Sequence, residues 1–469
     1  MPPKLTLSTP VPSIMLTRML ALAACLAVSL TALAQQTPVA ITNARILTLA
    51  GDQGLGELQQ GTLIVHNGKI SAVGSNIPIP DGATRIDAQG KTIIPGLVDT
   101  HSHIGGVGGA DQSATIQPDV RVFDSLNPLD SGFRRAVAGG QTTLNVMPGS
   151  GHLLSGQTIY VKLRGGKTIE GLFIRPPQGS NLPDPMGGIK MANGTNMLGA
   201  PPFSGTRGKS AAMVRERYIK AQEYRQKIAD AAGDPKKLPE RDLGLEALVE
   251  VLEGRRIVHH HTHRTDDIMT VLRLQKEFGF RVVLHHVSEA WKLPQELAAA
   301  QRDTNGKLLG CSIILVDSPG GKLEALHLDM KTGAILEQAG VRTCIHSDDW
   351  INDCRHFLRS GALAVRFGMS EAAALRALTI EGARMMDLGD RVGSLEAGKD
   401  ADFVILSGTP FSTYTKVEQA WVEGAKVFDI TNPDDALFAT GGFGAGRDQE
   451  PYMCCAPNGG FTFGGKQWQ

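Results

Sequence analysis

Between Val39 and Ile94 apolar and polar positions alternate in short runs broken by turn residues. Ala40-Ile41-Thr42 leads into Ile46-Leu47-Thr48, and Gly61-Thr62-Leu63-Ile64-Val65 faces Lys69-Ile70-Ser71-Ala72-Val73 across Asn67-Gly68. A period of two marks half-buried strands. Asn-Gly between two such runs predicts a tight hairpin, because both turn residues adopt positive φ. The idiom returns near the other end, in Asp402-Phe403-Val404-Ile405-Leu406 and in the run from Gln419 to Val427. Two β-rich ends around a different middle predict one small composite β-sandwich domain built from residues 38–92 and 389–430.

The middle, residues 93–388, alternates apolar runs with helical stretches, which predicts βα units and a parallel sheet. Eight candidate strands fall at 97–103, 142–147, 157–163, 187–192, 256–263, 280–287, 311–317 and 341–348. One intervening helix opens on Asp266-Asp267, at its positive end, carries apolar Ile268, Val271, Leu272 and Phe278, and stops at Gly279. A longer, highly charged helix is expected over 210–232. Eight strand units at this spacing predict an α/β fold of the (β/α)8 TIM-barrel type, with its chemistry at the C-terminal ends of the strands. Residues 178–209, rich in Gly, Pro and Asn, read as an active-site loop region. The Gly-rich tail 431–469 lacks periodicity and is expected to be mobile or to wrap the surface.

Composition narrows the function. Lys plus Arg and Asp plus Glu both number 47, and no block of basic residues occurs, which argues against nucleic acid as a partner. Arg18 precedes an apolar run at 19–34, and Ala32-Leu33-Ala34 before Gln35 has the small-x-small form of a signal-peptide cleavage site. Residues 1–34 are therefore expected to be a signal peptide, with export to a bacterial periplasm and no stable membrane span afterwards. Leu22-Ala23-Ala24-Cys25 offers a lipoprotein alternative, and Met15 an alternative start. Cys311, Cys344 and Cys354 read as buried thiols, and Cys454-Cys455 as the pair more open to oxidation.

The strand ends carry the informative side chains. The first ends Asp99-Thr100-His101-Ser102-His103, and residues two apart share a face, so both imidazoles can reach one ion. Lys190 lies among apolar and glycine neighbours on the fourth. The fifth ends His259-His260-His261-Thr262-His263, the sixth His285-His286, and the eighth His346-Ser347-Asp348-Asp349. Neutral imidazole and carboxylate are the usual ligands of zinc and its first-row relatives. A lysine carbamylated by carbon dioxide becomes an anion able to bridge two ions. Any one histidine alone suits a hydrogen-bonded core role, but separate structural roles would not gather at one rim. On the fifth strand parity does not choose among His259, His261 and His263. On the sixth, His286 sits at the tip and His285 is expected to face the helices.

Pro95-Gly96-Leu97-Val98-Asp99-Thr100-His101-Ser102-His103, Ser347-Asp348 and the run Gly393-Ser394-Leu395-Glu396-Ala397-Gly398-Lys399-Asp400-Ala401-Asp402 resemble the amidohydrolase superfamily, near its imidazolonepropionase-like and prolidase-like members. The resemblance covers about 38–430. It implies two divalent metal ions, zinc or manganese or another first-row metal. His101, His103, Lys190 and Asp348 would hold the first; carbamylated Lys190, His261 and His286 would hold the second. The His-x-His-Arg of the family favours His261 over its neighbours, because it resembles His261 to Arg264. Imidazolonepropionase itself has a mononuclear site without such a lysine, which sets the imidazolone substrate aside.

The implied reaction is hydrolysis of a C–N bond in a small-molecule amide, cyclic amide or dipeptide, with Asp348 moving the proton of a metal-activated water. Asp99 is expected behind the ligands, either steadying them or as a structural carboxylate. His152, Arg264, Lys322 and Glu324 follow strand ends and are candidate substrate contacts. A mononuclear deaminase on the same barrel, and a non-catalytic binding barrel, are the alternatives. The sequence leaves room for a homo-oligomer.

Overall fold

The structure, a computed structural model, describes residues 37–106, 111, 113–303, 307–316, 322–349, 351–441 and 445, and the backbone of 462–463 and 466–467. The expected signal segment, Cys25 and Cys454-Cys455 lie outside these residues.

Strands from both β-rich ends share one sheet. β1 (Val39–Leu47), β2 (Glu57–His66), β3 (Lys69–Gly74), β4 (Thr84–Asp87) and β5 (Thr92–Pro95) come from the first end. Strands Phe403–Leu406, Val417–Val422 and Ala425–Asp429, here β15, β16 and β17, come from the second. The order is β17-β16-β15-β5-β1-β2-β3, with β4 on β1. The two ends meet where β5 pairs antiparallel with β15, Pro95 opposite Phe403 and Thr92 opposite Leu406. Alternation sorts the side chains: Ile93, Phe403 and Ile405 pack with Ile41, Leu63 and Trp421 in a small core of their own. Ile94, Val404 and Leu406 turn instead to the main core.

Gly96 separates β5 from β6 (Leu97–Ser102). A Cβ at Gly96 would lie 2.1 Å from Thr142 Oγ1, so this junction between sheets requires glycine. β6 pairs parallel with β7 (Gln141–Val146), which pairs antiparallel with β9 (Ile159–Lys162). A six-stranded sheet contains β8 (Leu154–Gln157), β10 (Ile189–Ala192), β11 (Val258–Thr262), β12 (Val282–His286), β13 (Leu308–Ile313) and β14 (Thr343–Ile345), in the order β14-β13-β12-β11-β10-β8. From β10 to β14 every neighbour is parallel, but β8 is antiparallel to β10.

The third strand therefore runs against the all-parallel expectation. Only residues 147–153 separate β7 from β8, and a parallel crossover needs about a dozen residues or more. The chain turns back instead. β8 and β9 form one run interrupted at Thr158, whose N–H donates to Gly188 O at 3.0 Å. At the opposite flank the two sheets touch again, where Ser102 bridges Asp349 and the N–H of Asp348 donates to His101 O at 3.1 Å.

The helix expected after the fifth strand runs Thr265–Phe278, with both aspartates in its first turn and Gly279 at φ 72° ending it. The tail holds an element the aperiodic reading omits: a helix, Pro433–Thr440, whose first turn is capped by Asn432 accepting from Asp434 N. Phe438 is buried in the main core under the guanidinium of Arg134. Among the described residues no helix is long and apolar enough to cross a membrane.

Candidate metal centre

β6 is buried along its whole length, and its ladder with β7 is irregular between Asp99 and Ser102. Asp99 and His101 are buried, and His103 follows at the strand's end. The Nδ1–H of His103 donates to Met147 O at 2.8 Å, which leaves Nε2 of the neutral ring with its lone pair. That nitrogen lies 3.3 Å from His101 Nε2 and 3.2 Å from Asp348 Oδ1, and His101 Nε2 is 3.4 Å from the same oxygen. Ligands about 2.0–2.1 Å from a tetrahedral ion stand roughly 3.3 Å apart. Lone pairs facing one another at this spacing repel unless a cation or a proton lies between them. Lys190 Nζ, fully buried, is 3.0 Å from His101 Nε2 and 3.1 Å from Met147 Sδ.

Burial, reinforced by the Lys190 ammonium, holds His101 well below the usual imidazole range. Burial pushes Asp348 up, but the close contact with His103, together with His346 and the Lys190 ammonium, brings it below the ordinary carboxylate range. An anion among neutral imidazoles is the donor set that divalent zinc-type ions take. Asp348 sits at φ 48°, in the left-handed region a non-glycine residue enters at a cost. Asp99 touches no imidazole. It accepts from the N–H of His101 at 3.0 Å, from the N–H of Ser347 at 3.3 Å and from Ser347 Oγ, so it ties together the two backbones that carry the candidate ligands His101 and Asp348.

β12 departs from the alternation expected of it. His285 faces inward, with Nδ1 3.1 Å from His101 Nδ1 and Nε2 2.9 Å from His259 Nδ1. His286 also faces inward, its ring 4.4 Å from that of His261 and its Nδ1 3.8 Å from Asp348 Oδ2. The expectation that His285 points toward the helices fails because His285 shares the inward face of Val283, while Leu284 faces the main core. His286 joins it because His286 and Val287 adopt φ 68° and 43°. That bend returns consecutive side chains to one side. His346, absent from the expected ligand set, is inward too: Nδ1 is 2.8 Å from Ser312 Oγ, Nε2 is 3.2 Å from His286 Nδ1, and the ring stacks on His101. Its place two residues before Asp348 was the available signal.

A second convergence lies on β11. Single ligand atoms of His261, His263 and Glu324 all fall within 4.8 Å of one another. Both ring nitrogens of His261, Nε2 of His263 and Oε1 of Glu324 are buried without a hydrogen-bond partner. His263 Nδ1 is held by Ser288 Oγ at 2.7 Å, and Glu324 Oε2 accepts from Thr195 N at 2.7 Å. His152 is buried with neither nitrogen partnered. Lys322 is half-buried and near enough to His261 to help depress its pKa, although burial is the larger cause. Arg264 turns outward into an exposed pair with Asp266.

A solved structure described as an amidohydrolase from Thermotoga maritima is 33% identical to this chain, with a TM-score of 0.74; the match covers 83% of this chain and 100% of that one. The chain belongs to the amidohydrolase family. The profile of that family matches residues 328–433 of this amidohydrolase. The amidohydrolase tasK of Hapsidospora irregularis is 29% identical over 79% of the chain, which spans 40% of that relative's length. Imidazolonepropionase of Aromatoleum aromaticum is 26% identical over 76% of this chain and 88% of its own. The family comprises metal-dependent hydrolases of carbon–nitrogen bonds in small molecules. The buried histidine and carboxylate groups of this amidohydrolase fit a divalent metal.

Proposed function

We propose that this amidohydrolase is an exported hydrolase that opens an amide, cyclic amide or dipeptide bond with the help of two divalent cations, zinc or manganese. The observation that carries the reading is the meeting of His101 Nε2, His103 Nε2 and Asp348 Oδ1 at one point. Those three, with Lys190, would hold the first ion. Lys190 as a carbamate, His261 and His286 would hold the second, with His263 and Glu324 beside it. Bound there, the cations would acidify a water and polarise the scissile carbonyl. Asp348 would accept a proton from the attacking water and hand it to the leaving nitrogen. His152, Lys322 and Glu324 remain to orient the substrate, while Arg264 faces Asp266. The continuity of β8 with β9 and the Ser102–Asp349 bridge support closure of the two sheets into a (β/α)8 barrel whose third strand is reversed. Arg18, the apolar run 19–34 and Ala32-Leu33-Ala34 support cleavage before Gln35 and a periplasmic location.

Metal analysis of the purified protein, joined to a screen of N-acyl amino acids, Xaa-Pro dipeptides and cyclic ureides with zinc or manganese present, tests this. Two ions per chain and release of a carboxylate with an amine are expected. One ion with ammonia released from a nucleobase would replace this reading with a mononuclear deaminase. No ion and no turnover would end it.

A further inference from the structure

Three buried side chains that the proposed reaction leaves unused form, with His101, one hydrogen-bonded line of four into the centre. Tyr160 Oη lies 2.9 Å from His259 Nε2, His259 Nδ1 lies 2.9 Å from His285 Nε2, and His285 Nδ1 lies 3.1 Å from His101 Nδ1. All four are at most 2% exposed. The line is built on close approach: a Cβ on Gly188 would sit 2.3 Å from His259 Cδ2. Each of the three contacts is at hydrogen-bond distance and takes one proton, so in a line of neutral rings each ring carries a single N–H.

With one proton per ring, the line admits two orders. In one, His101 Nδ1–H donates to His285, His285 Nε2–H donates to His259, and His259 Nε2–H donates to the phenol oxygen. His101 Nε2 then presents a lone pair to the centre. In the other, Tyr160 donates inward, every ring reverses, and a proton on His101 Nε2 faces His103 and Asp348. The first order accepts a cation; the second blocks it. Partners of this kind set ligand tautomer and ring orientation at metal sites.

We infer that Tyr160, His259 and His285 are positioning residues that hold His101 in the tautomer able to bind a metal ion. This rests on the reading of His101 as a ligand. The test measures zinc uptake by metal-depleted protein against a chromophoric chelator, with thermal unfolding of the metal-free form as a fold control. Replacing His285 by leucine removes the acceptor for His101 Nδ1–H, and affinity for the ion should fall by about 10–100-fold. His285→Asn keeps a carbonyl oxygen near the place of Nδ1 and should restore most of the affinity. Tyr160→Phe removes the far acceptor and should weaken uptake in the same direction, by less.

Equal losses in the leucine and asparagine variants would reduce His285 to a packing role and overturn the inference, as would an unchanged affinity in the leucine variant. Should the leucine variant not fold, Tyr160→Phe decides: weakened uptake supports the line, and wild-type uptake overturns it. Failure of the unsubstituted protein to take up zinc would instead overturn the reading of the centre itself.

Discussion

In the proposed reaction Asp348 has two duties, lending an oxygen to the centre and moving a proton, and substitution can separate them. Asp348→Asn keeps an oxygen beside His101 and His103 but cannot accept the proton. We expect kcat to fall by about 10²–10⁴-fold with the ion retained, checked by steady-state kinetics on protein of measured metal content. An unchanged kcat would move the proton to another group. His101 and His103 were readable from sequence because two imidazoles one residue apart close an apolar run, although the ladder of β6 with β7 is irregular between Asp99 and Ser102. His346 was equally readable, being one strand period before Asp348. The inward placing of His285 and His286 together was not, since nothing in Leu284-His285-His286-Val287 announces the left-handed φ that turns His286 to the side of His285. Glu324 was read as a substrate contact; it reaches His261 from a short 3-10 turn, Leu323–Ala325, outside any periodic element. Distances of that kind belong to the tertiary fold and leave no mark in local spacing.

At the scale of elements, local chemistry decided the hairpins. Asn67 and Gly68 take φ 50° and 76° between β2 and β3, and Glu423 and Gly424 repeat the turn between β16 and β17. The reversed third strand was legible in principle, because the link between β7 and β8 is too short to cross over. Reading each strand by composition alone hid its direction. The tail helix carried its own signals in Asn432-Pro433-Asp434-Asp435, a cap, a proline at the first turn and two carboxylates at the positive end. Asn432→Ala should remove the capping acceptor and weaken the helix by about 1 kcal/mol. Faster amide exchange in Leu437–Thr440 checks this, and unchanged exchange would show that Phe438 packing alone holds the segment.

Across the whole molecule, a cluster of charges fastens the eight-stranded sheet to the three-stranded sheet of β6, β7 and β9. Lys162 on β9, fully buried, contacts Asp400, Asp402 and Glu423, while Lys69, Arg164 and Arg391 approach from outside. Burial opposes ionisation of Asp400 and Glu423, yet Lys162 with the neighbouring arginines and lysine holds both down to about 2. Depressed carboxylates stabilise the fold above their unfolded values of 3.8 and 4.5 and lose that contribution as pH falls toward 2. Asp402, raised by burial, opposes this in part. The urea midpoint should therefore drop between about pH 4.5 and 2. Lys162→Met strands carboxylates in the interior and should cost about 3–5 kcal/mol at neutral pH, with a flatter acid limb. An unaltered acid limb would remove Lys162 from the account.

The pairing of β5 with β15 also sets an order of events. A polypeptide is made from its N-terminus, so β5 is complete long before Phe403 exists, and the strand bearing His101 follows it immediately. Until the last part of the chain arrives, that first ribbon keeps an open edge and its ligands lack a fixed footing. Under the proposed function, metal capture would wait for the finished polypeptide, a timing that suits the proposed export of an unfolded chain that takes up its ions on the far side of a membrane.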